Sequence, residues 1–127
     1  MKFLIADDHA GVRKNVREIL KEEYQTAMFY EASNGAEVLE KIAEELLDLI
    51  ILDITMPEQN GLEILKQIRA QFINIPILML SMHPENQYAS RAIKAGASGY
   101  LNKNNVSDNL IVAIKHILKG CTYPATT

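Results

Sequence analysis

Short apolar runs alternate along this chain with longer stretches in which apolar residues recur every three or four positions. Phe3–Ala6, Leu47–Leu52 and Ile75–Leu80 are the short runs. Runs of this length read as strands covered on both faces of a parallel sheet. Ala27–Ala32 is more mixed and suits an edge strand, and Gly99–Leu101 supplies a short fifth strand. Five helical stripes complete the pattern. They are Val12, Val16, Ile19 and Leu20; Leu39, Ile42, Ala43 and Leu46; Leu65, Ile68 and Phe72; Ala89, Ala92 and Ile93; and Leu110, Ala113, Ile114 and Ile117. Gly96 and Gly120 stand where C-caps are expected, and Asn60 and Ser107 where N-caps are expected.

Five β-α units predict an α/β architecture: a doubly wound, five-stranded parallel sheet with helices on both faces. The expected strand order is 2-1-3-4-5, which puts the switch point between the first and third strands. Residues 1–120 form one domain in this reading, and residues 121–127 a tail or the start of a linker. No internal repeat or low-complexity tract interrupts the pattern.

Composition narrows the class. The 127 residues are 48% hydrophobic and 23% charged, with a net charge of −3, an ordinary globular balance. That charge lacks the basic footprint of a nucleic-acid binder. The single cysteine, Cys121, allows no disulfide framework within the chain. No apolar stretch reaches the length of a membrane span, and the expected location is cytoplasmic.

The chemistry lies at the strand ends. Asp7-Asp8 follows the first run, Asp53 the third, Ser81 the fourth, and Lys103 closes the fifth after Tyr100, Leu101 and Asn102. Ligands of an open parallel sheet bind outside the carboxyl ends of its strands, so four distant segments would build one site. Its carboxylates, hydroxyl and ammonium suit a divalent metal and a phosphoryl group. Clustered carboxylates repel one another, and Mg²⁺ relieves this with oxygen ligands. The expected direct ligands are Asp8, Asp53 and the Thr55 carbonyl, with Asp7 acting through water. Alone, Asp7-Asp8 reads as a helix N-terminal cap. Asp53, an ionisable residue at a buried strand end, favours the metal reading.

With these pieces in place, the sequence resembles the receiver domain of bacterial two-component response regulators. The matching segments are Ile5-Ala6-Asp7-Asp8-His9, Leu52-Asp53-Ile54-Thr55-Met56-Pro57, Asn60-Gly61-Leu62-Glu63, Leu80-Ser81-Met82-His83, and Lys94 to Lys103. Ser81-Met82-His83 and Gly96-Ala97-Ser98-Gly99-Tyr100-Leu101 resemble the NarL/LuxR-type branch in particular. The resemblance implies a flavodoxin-like fold and a phosphoacceptor switch rather than an enzyme. Only self-phosphorylation and autodephosphorylation are then expected. It makes Asp53 the phosphoacceptor, Lys103 a contact to a phosphoryl oxygen, and Ser81 and Tyr100 the residues that pass the event on. The surface of the fourth helix, fifth strand and fifth helix would change, Tyr100 rotating inward. A sensor histidine kinase would supply the phosphoryl group. A DNA-binding output domain, absent from this chain, would act on transcription, and a homodimer is possible. No direct nucleic-acid or membrane binding is expected of the chain itself.

Departures from the family pattern are Asn104, where many receivers have proline, and Met82, where many have a small residue. A non-proline cis bond costs about 2.5–4 kcal/mol, so a trans Lys103–Asn104 bond is expected. Thr55 and His83 flank the site and could tune dephosphorylation, whereas His9 and His116 carry no usable signal. A stand-alone phosphorelay shuttle is the main alternative. An aspartyl-phosphate phosphatase of the haloacid-dehalogenase type would need an aspartate where Thr55 stands. A flavodoxin-like cofactor binder would need a Ser-, Thr- and Gly-rich loop where Asp7-Asp8-His9 stands.

Overall fold

The computed structural model describes residues 1–56, 58–71, 73–82 and 85–124, with the backbone alone at 85–87. Its elements run β1 (Lys2–Ala6), α1 (Ala10–Glu23), β2 (Met28–Ala32), α2 (Gly35–Glu44), β3 (Leu49–Asp53), α3 (Gly61–Ala70), β4 (Ile77–Ser81), α4 (Glu85–Lys94), β5 (Gly99–Asn102) and α5 (Val106–Leu118). A 3-10 turn, Lys103–Asn105, joins β5 to α5. The five strands are parallel, in the order β2-β1-β3-β4-β5. The switch point lies between β1 and β3, as the pattern predicted.

Alternation within each strand builds two apolar layers. Leu4, Ile50, Leu52, Met79 and Tyr100 face α2, α3 and α4, where Val38, Ile64, Ile68 and Ala92 meet them. Phe3, Ile5, Leu49, Ile51 and Leu78 face α1 and α5, where Val16, Leu20, Leu110 and Ile114 meet them. β3 and β4 are buried along their full length, which is why their sequences show no polar alternation. β2 lies at the edge, with Ala32 its one buried residue.

The strands differ from the apolar runs at both ends. β4 begins at Ile77 because Pro76 has no N–H to give the ladder, although its carbonyl accepts from Ile50 N at 2.9 Å. At the other end, β3, β4 and β5 run on through Asp53, Ser81 and Asn102, so these polar residues are held by the sheet itself.

The helices follow the predicted stripes with three corrections. α2 ends at Glu44, so Leu46 lies beyond it and is 88% exposed. Ala43 is also exposed. The inward line of α2 starts earlier, at Gly35 and Val38, because Asn34 caps the helix by accepting from Glu37 N at 2.9 Å. In α5 the expected cap Ser107 is the second helical residue. Asn105 takes the cap position without a side-chain bond, since the 3-10 turn feeds directly into the helix. Asn60 does cap α3, accepting from Leu62 N at 2.7 Å, and Gly96 and Gly120 take positive φ after α4 and α5. Phe72, predicted on the third stripe, lies outside the described residues, as do Pro57 and His83.

Two contacts close the ends of the sheet. Arg69 of α3 donates to the carbonyls of Gly96, Ile73 and Ile75 at 2.8–2.9 Å, fastening the entrance of β4 to the turn after α4. After α5 the chain turns back along β5. There Tyr100 N donates to Tyr123 O at 2.8 Å, and Tyr123 N to Ser98 O at 3.0 Å. Among the described residues no helix is long and apolar enough to cross a membrane.

Candidate functional site

Asp7 continues the line of β1, its N–H donating to Ala32 O at 3.0 Å. That bond holds the backbone at the sheet's carboxyl edge and buries the carboxylate, leaving the residue 1% exposed. Asp8 is the next residue and stays partly open to solvent. The main chain here is also held from α1, where Arg13 Nη1 donates to Asp7 O at 2.7 Å. Glu31 of β2 fixes that guanidinium through Arg13 Nε at 2.8 Å, and also takes Arg17 at 3.0 Å.

Asp53 ends β3 and is 2% exposed. Its Oδ1 accepts from Thr55 N at 3.2 Å. The loop behind it is drawn tight by Gly61 N donating to Ile54 O at 2.6 Å. Gly61 is required there, because a Cβ would collide with the Asp53 carbonyl oxygen and lie 2.8 Å from Ile54 Cα.

Lys103 reaches in from the end of β5. Its Nζ lies 2.8 Å from Asp7 Oδ2 and 3.1 Å from Asp53 Oδ1. The 3-10 turn aims it: Asn102 Oδ1 accepts from Asn104 N at 2.8 Å. The Lys103–Asn104 peptide is trans, as expected. Ser81 is buried at the end of β4, beside Asn102 in the ladder. Tyr100 is completely buried among the side chains that face α2–α4, so a solvent-exposed hydroxyl at this strand position is ruled out. Met82 is exposed.

One cation facing several acids leaves the electrostatics unbalanced. Burial pushes the Asp53 carboxyl up from 3.8 to about 6, Asp7 pushes it the same way, and Lys103 and the Thr55 amide oppose them. Burial alone would lower Lys103. The hydrogen bond it donates to Asp7 and the charges of Asp53 and Asp7 outweigh it and hold the ammonium's pKa above its ordinary value. The site is thus a locked cation between two acids with negative charge to spare.

The residues fit a hard divalent cation. Ligand atoms of Asp7, Asp8, His9 and Asp53 all lie within 4.8 Å of one another. Among the described residues, no hydrogen-bond donor reaches the buried Asp53 Oδ2, which is costly unless an electropositive partner approaches. Oxygen-rich donors of this kind suit Mg²⁺. The strand-end reasoning therefore brings Asp7, Asp8, Asp53 and Lys103 together, with Ser81 at the next strand end and Thr55 against Asp53.

Two residues escaped that reasoning. His9 Nδ1 lies 3.2 Å from Asp7 Oδ1 and 3.1 Å from Asp8 Oδ1, and its position next to the acids was the only clue. Arg13 looks like a surface residue of an amphipathic helix, and nothing in its spacing tells that it folds back onto β1.

The sequence and the fold are similar to those of known proteins. The sequence model of the response regulator receiver domain matches residues 3–115. Oxygen regulatory protein NreC of Staphylococcus epidermidis is 36% identical over 124 residues, covering 97% of this chain and 57% of NreC. The chain thus spans little more than half the length of such curated relatives. A LuxR-family two-component response regulator from Aurantimonas superposes with a TM-score of 0.87 at 32% identity, over 94% of this chain and 85% of that one. The receiver domain of Francisella response regulator 1452 gives 0.82 at 30% identity, over 94% and 97%. The chain belongs to the response regulator receiver domain family of two-component systems.

Proposed function

We propose that Asp53 accepts a phosphoryl group and that the domain works as a phosphorylation switch in a transcriptional response regulator. The observation that carries this reading is the Asp53 carboxylate: buried, with Oδ1 held by Lys103 and Thr55 and Oδ2 without a donor among the described residues. A pKa of about 6 leaves it ionised at neutral pH, as a nucleophile must be.

In the transfer, an Asp53 oxygen forms a bond to phosphorus as the P–N bond of a donor phosphohistidine breaks. The imidazole leaves with the electron pair and takes a proton from water. Positioning and charge do most of the work in such transfers. Lys103 meets the phosphoryl oxygens as a point charge, and the Ser81 hydroxyl donates to one of them. Asp8, Asp53 and the Thr55 carbonyl would hold Mg²⁺, Asp7 acting through water, and the ion would offset charge on the transferring oxygens.

Ser81 and Tyr100 would carry the event to the surface of α4, β5 and α5. Tyr100 already sits inside, so the switch moves between arrangements that differ in what packs around it rather than opening a new hole. The phosphoryl group biases their populations by its differential stabilisation of one. A sensor histidine kinase is the proposed donor, a DNA-binding module in the parent protein the proposed output, and the cytoplasm the proposed location. A homodimer would be compatible with this role.

The test is incubation with Mg²⁺ and acetyl phosphate followed by intact mass. A single phosphoryl adduct is expected, absent in Asp53→Ala and without Mg²⁺. An adduct that survives in Asp53→Ala would place the acceptor elsewhere.

A further inference from the structure

Of the 13 lysines and arginines, seven are engaged among the described residues. Lys2, Arg13, Arg17, Lys41, Lys103 and Lys115 stand in ion pairs. Arg69 spends its guanidinium on three carbonyls. Lys66 on α3, and Arg91 and Lys94 on α4, have no acidic partner among the described residues, and these three line one groove. The groove has a volume of about 460 Å³, and the partly buried Leu62 and Ala95 also line it. The concentration of positive charge is local, because the chain as a whole carries −3. Unpaired cations beside apolar side chains complement a ligand that bears carboxylates on an apolar backing.

We propose that the α3–α4 groove is a docking surface for an acidic protein segment with an apolar residue that seats on Leu62 and Ala95. Nucleic acid fits less well. Among the described residues no aromatic side chain lines the groove to stack a base, and the chain's net charge of −3 disfavours a long phosphate backbone. Asp53 is not among the groove's lining residues, so the proposal stands independently of the phosphoacceptor reading.

The test is titration of the ¹⁵N-labelled domain with a short Glu-rich peptide carrying a central leucine, read by amide shifts. Shifts confined to Leu62, Lys66, Arg91, Lys94, Ala95 and their neighbours are expected. Lys66→Glu combined with Arg91→Glu should weaken binding at least tenfold. Lys14→Glu combined with Lys21→Glu, on α1, should change it less than twofold. The milder pair Lys66→Gln and Lys94→Gln, checked for an unchanged melting temperature, guards against misfolding and should weaken binding several-fold. Equal weakening by the α1 pair, shifts elsewhere on the surface, or tighter binding of a DNA duplex to the same amides would each overturn the proposal.

Discussion

Asp53 is under electrostatic tension that Lys103 and the Thr55 amide relieve only in part. Its folded pKa, about 6, lies above the 3.8 of an ordinary aspartate. The folded protein therefore holds this proton more tightly than the unfolded chain does. The associated stability is fully present below pH 4 and is lost as pH rises through 6. The difference between these two values corresponds to roughly 2–3 kcal/mol. Asp53→Asn should therefore raise the melting temperature at pH 7.5 without Mg²⁺, and the gain should vanish towards pH 4. Mg²⁺ should stabilise the wild type at pH 7.5 more than the variant. Thermal scans across pH, with and without Mg²⁺, check both. Arg13 acts at the same scale but through the backbone. Removing it as Arg13→Ala leaves the half-buried Glu31 and the Asp7 carbonyl without their shared donor, a loss of about 1–3 kcal/mol. If Arg13 positions the acidic pair, calorimetric Mg²⁺ affinity should also fall by several-fold, which a general loss of stability would not produce in the folded fraction.

Individual elements explain what could be read from the sequence. A polar residue after a run of buried apolar ones marks a strand's carboxyl end, and that made Asp7, Asp53 and Ser81 legible. α5 was equally clear, since Leu110, Ala113, Ile114 and Ile117 are all buried. α2 was misread at Leu46 because an apolar residue past a helix end keeps the spacing without keeping the face. Ser107 was misread because the preceding 3-10 turn shifts the start of α5, and propensity alone does not report such a turn. His9 and Arg13 stayed hidden because side chains that fold back onto neighbouring backbone leave no periodic trace. Gly61 belongs to this scale. It is where α3 presses against the end of β3, so Gly61→Ala must push the β3–α3 loop away from Asp53. Overpacking of this kind costs about 1–3 kcal/mol. Phosphorylation by acetyl phosphate should be lost at temperatures where circular dichroism still reports a folded domain.

At the scale of the whole molecule, the order β2-β1-β3-β4-β5 leaves β2 and β5 as the outer strands. An outer strand offers unpaired N–H and C=O groups to any passing chain. β2 is blunted by Glu31 and by the guanidinium groups gathered around it. β5 relies on something else, the returning backbone at Tyr123. Ending the polypeptide at Gly120 would strip that cover and leave the Tyr100 amide facing water. Such a shortened domain should self-associate as its concentration rises, measurable by light scattering, while the 127-residue chain stays dispersed under the same conditions. The segment around Tyr123 thus serves as a selvedge: it finishes the weave where it would otherwise fray and catch.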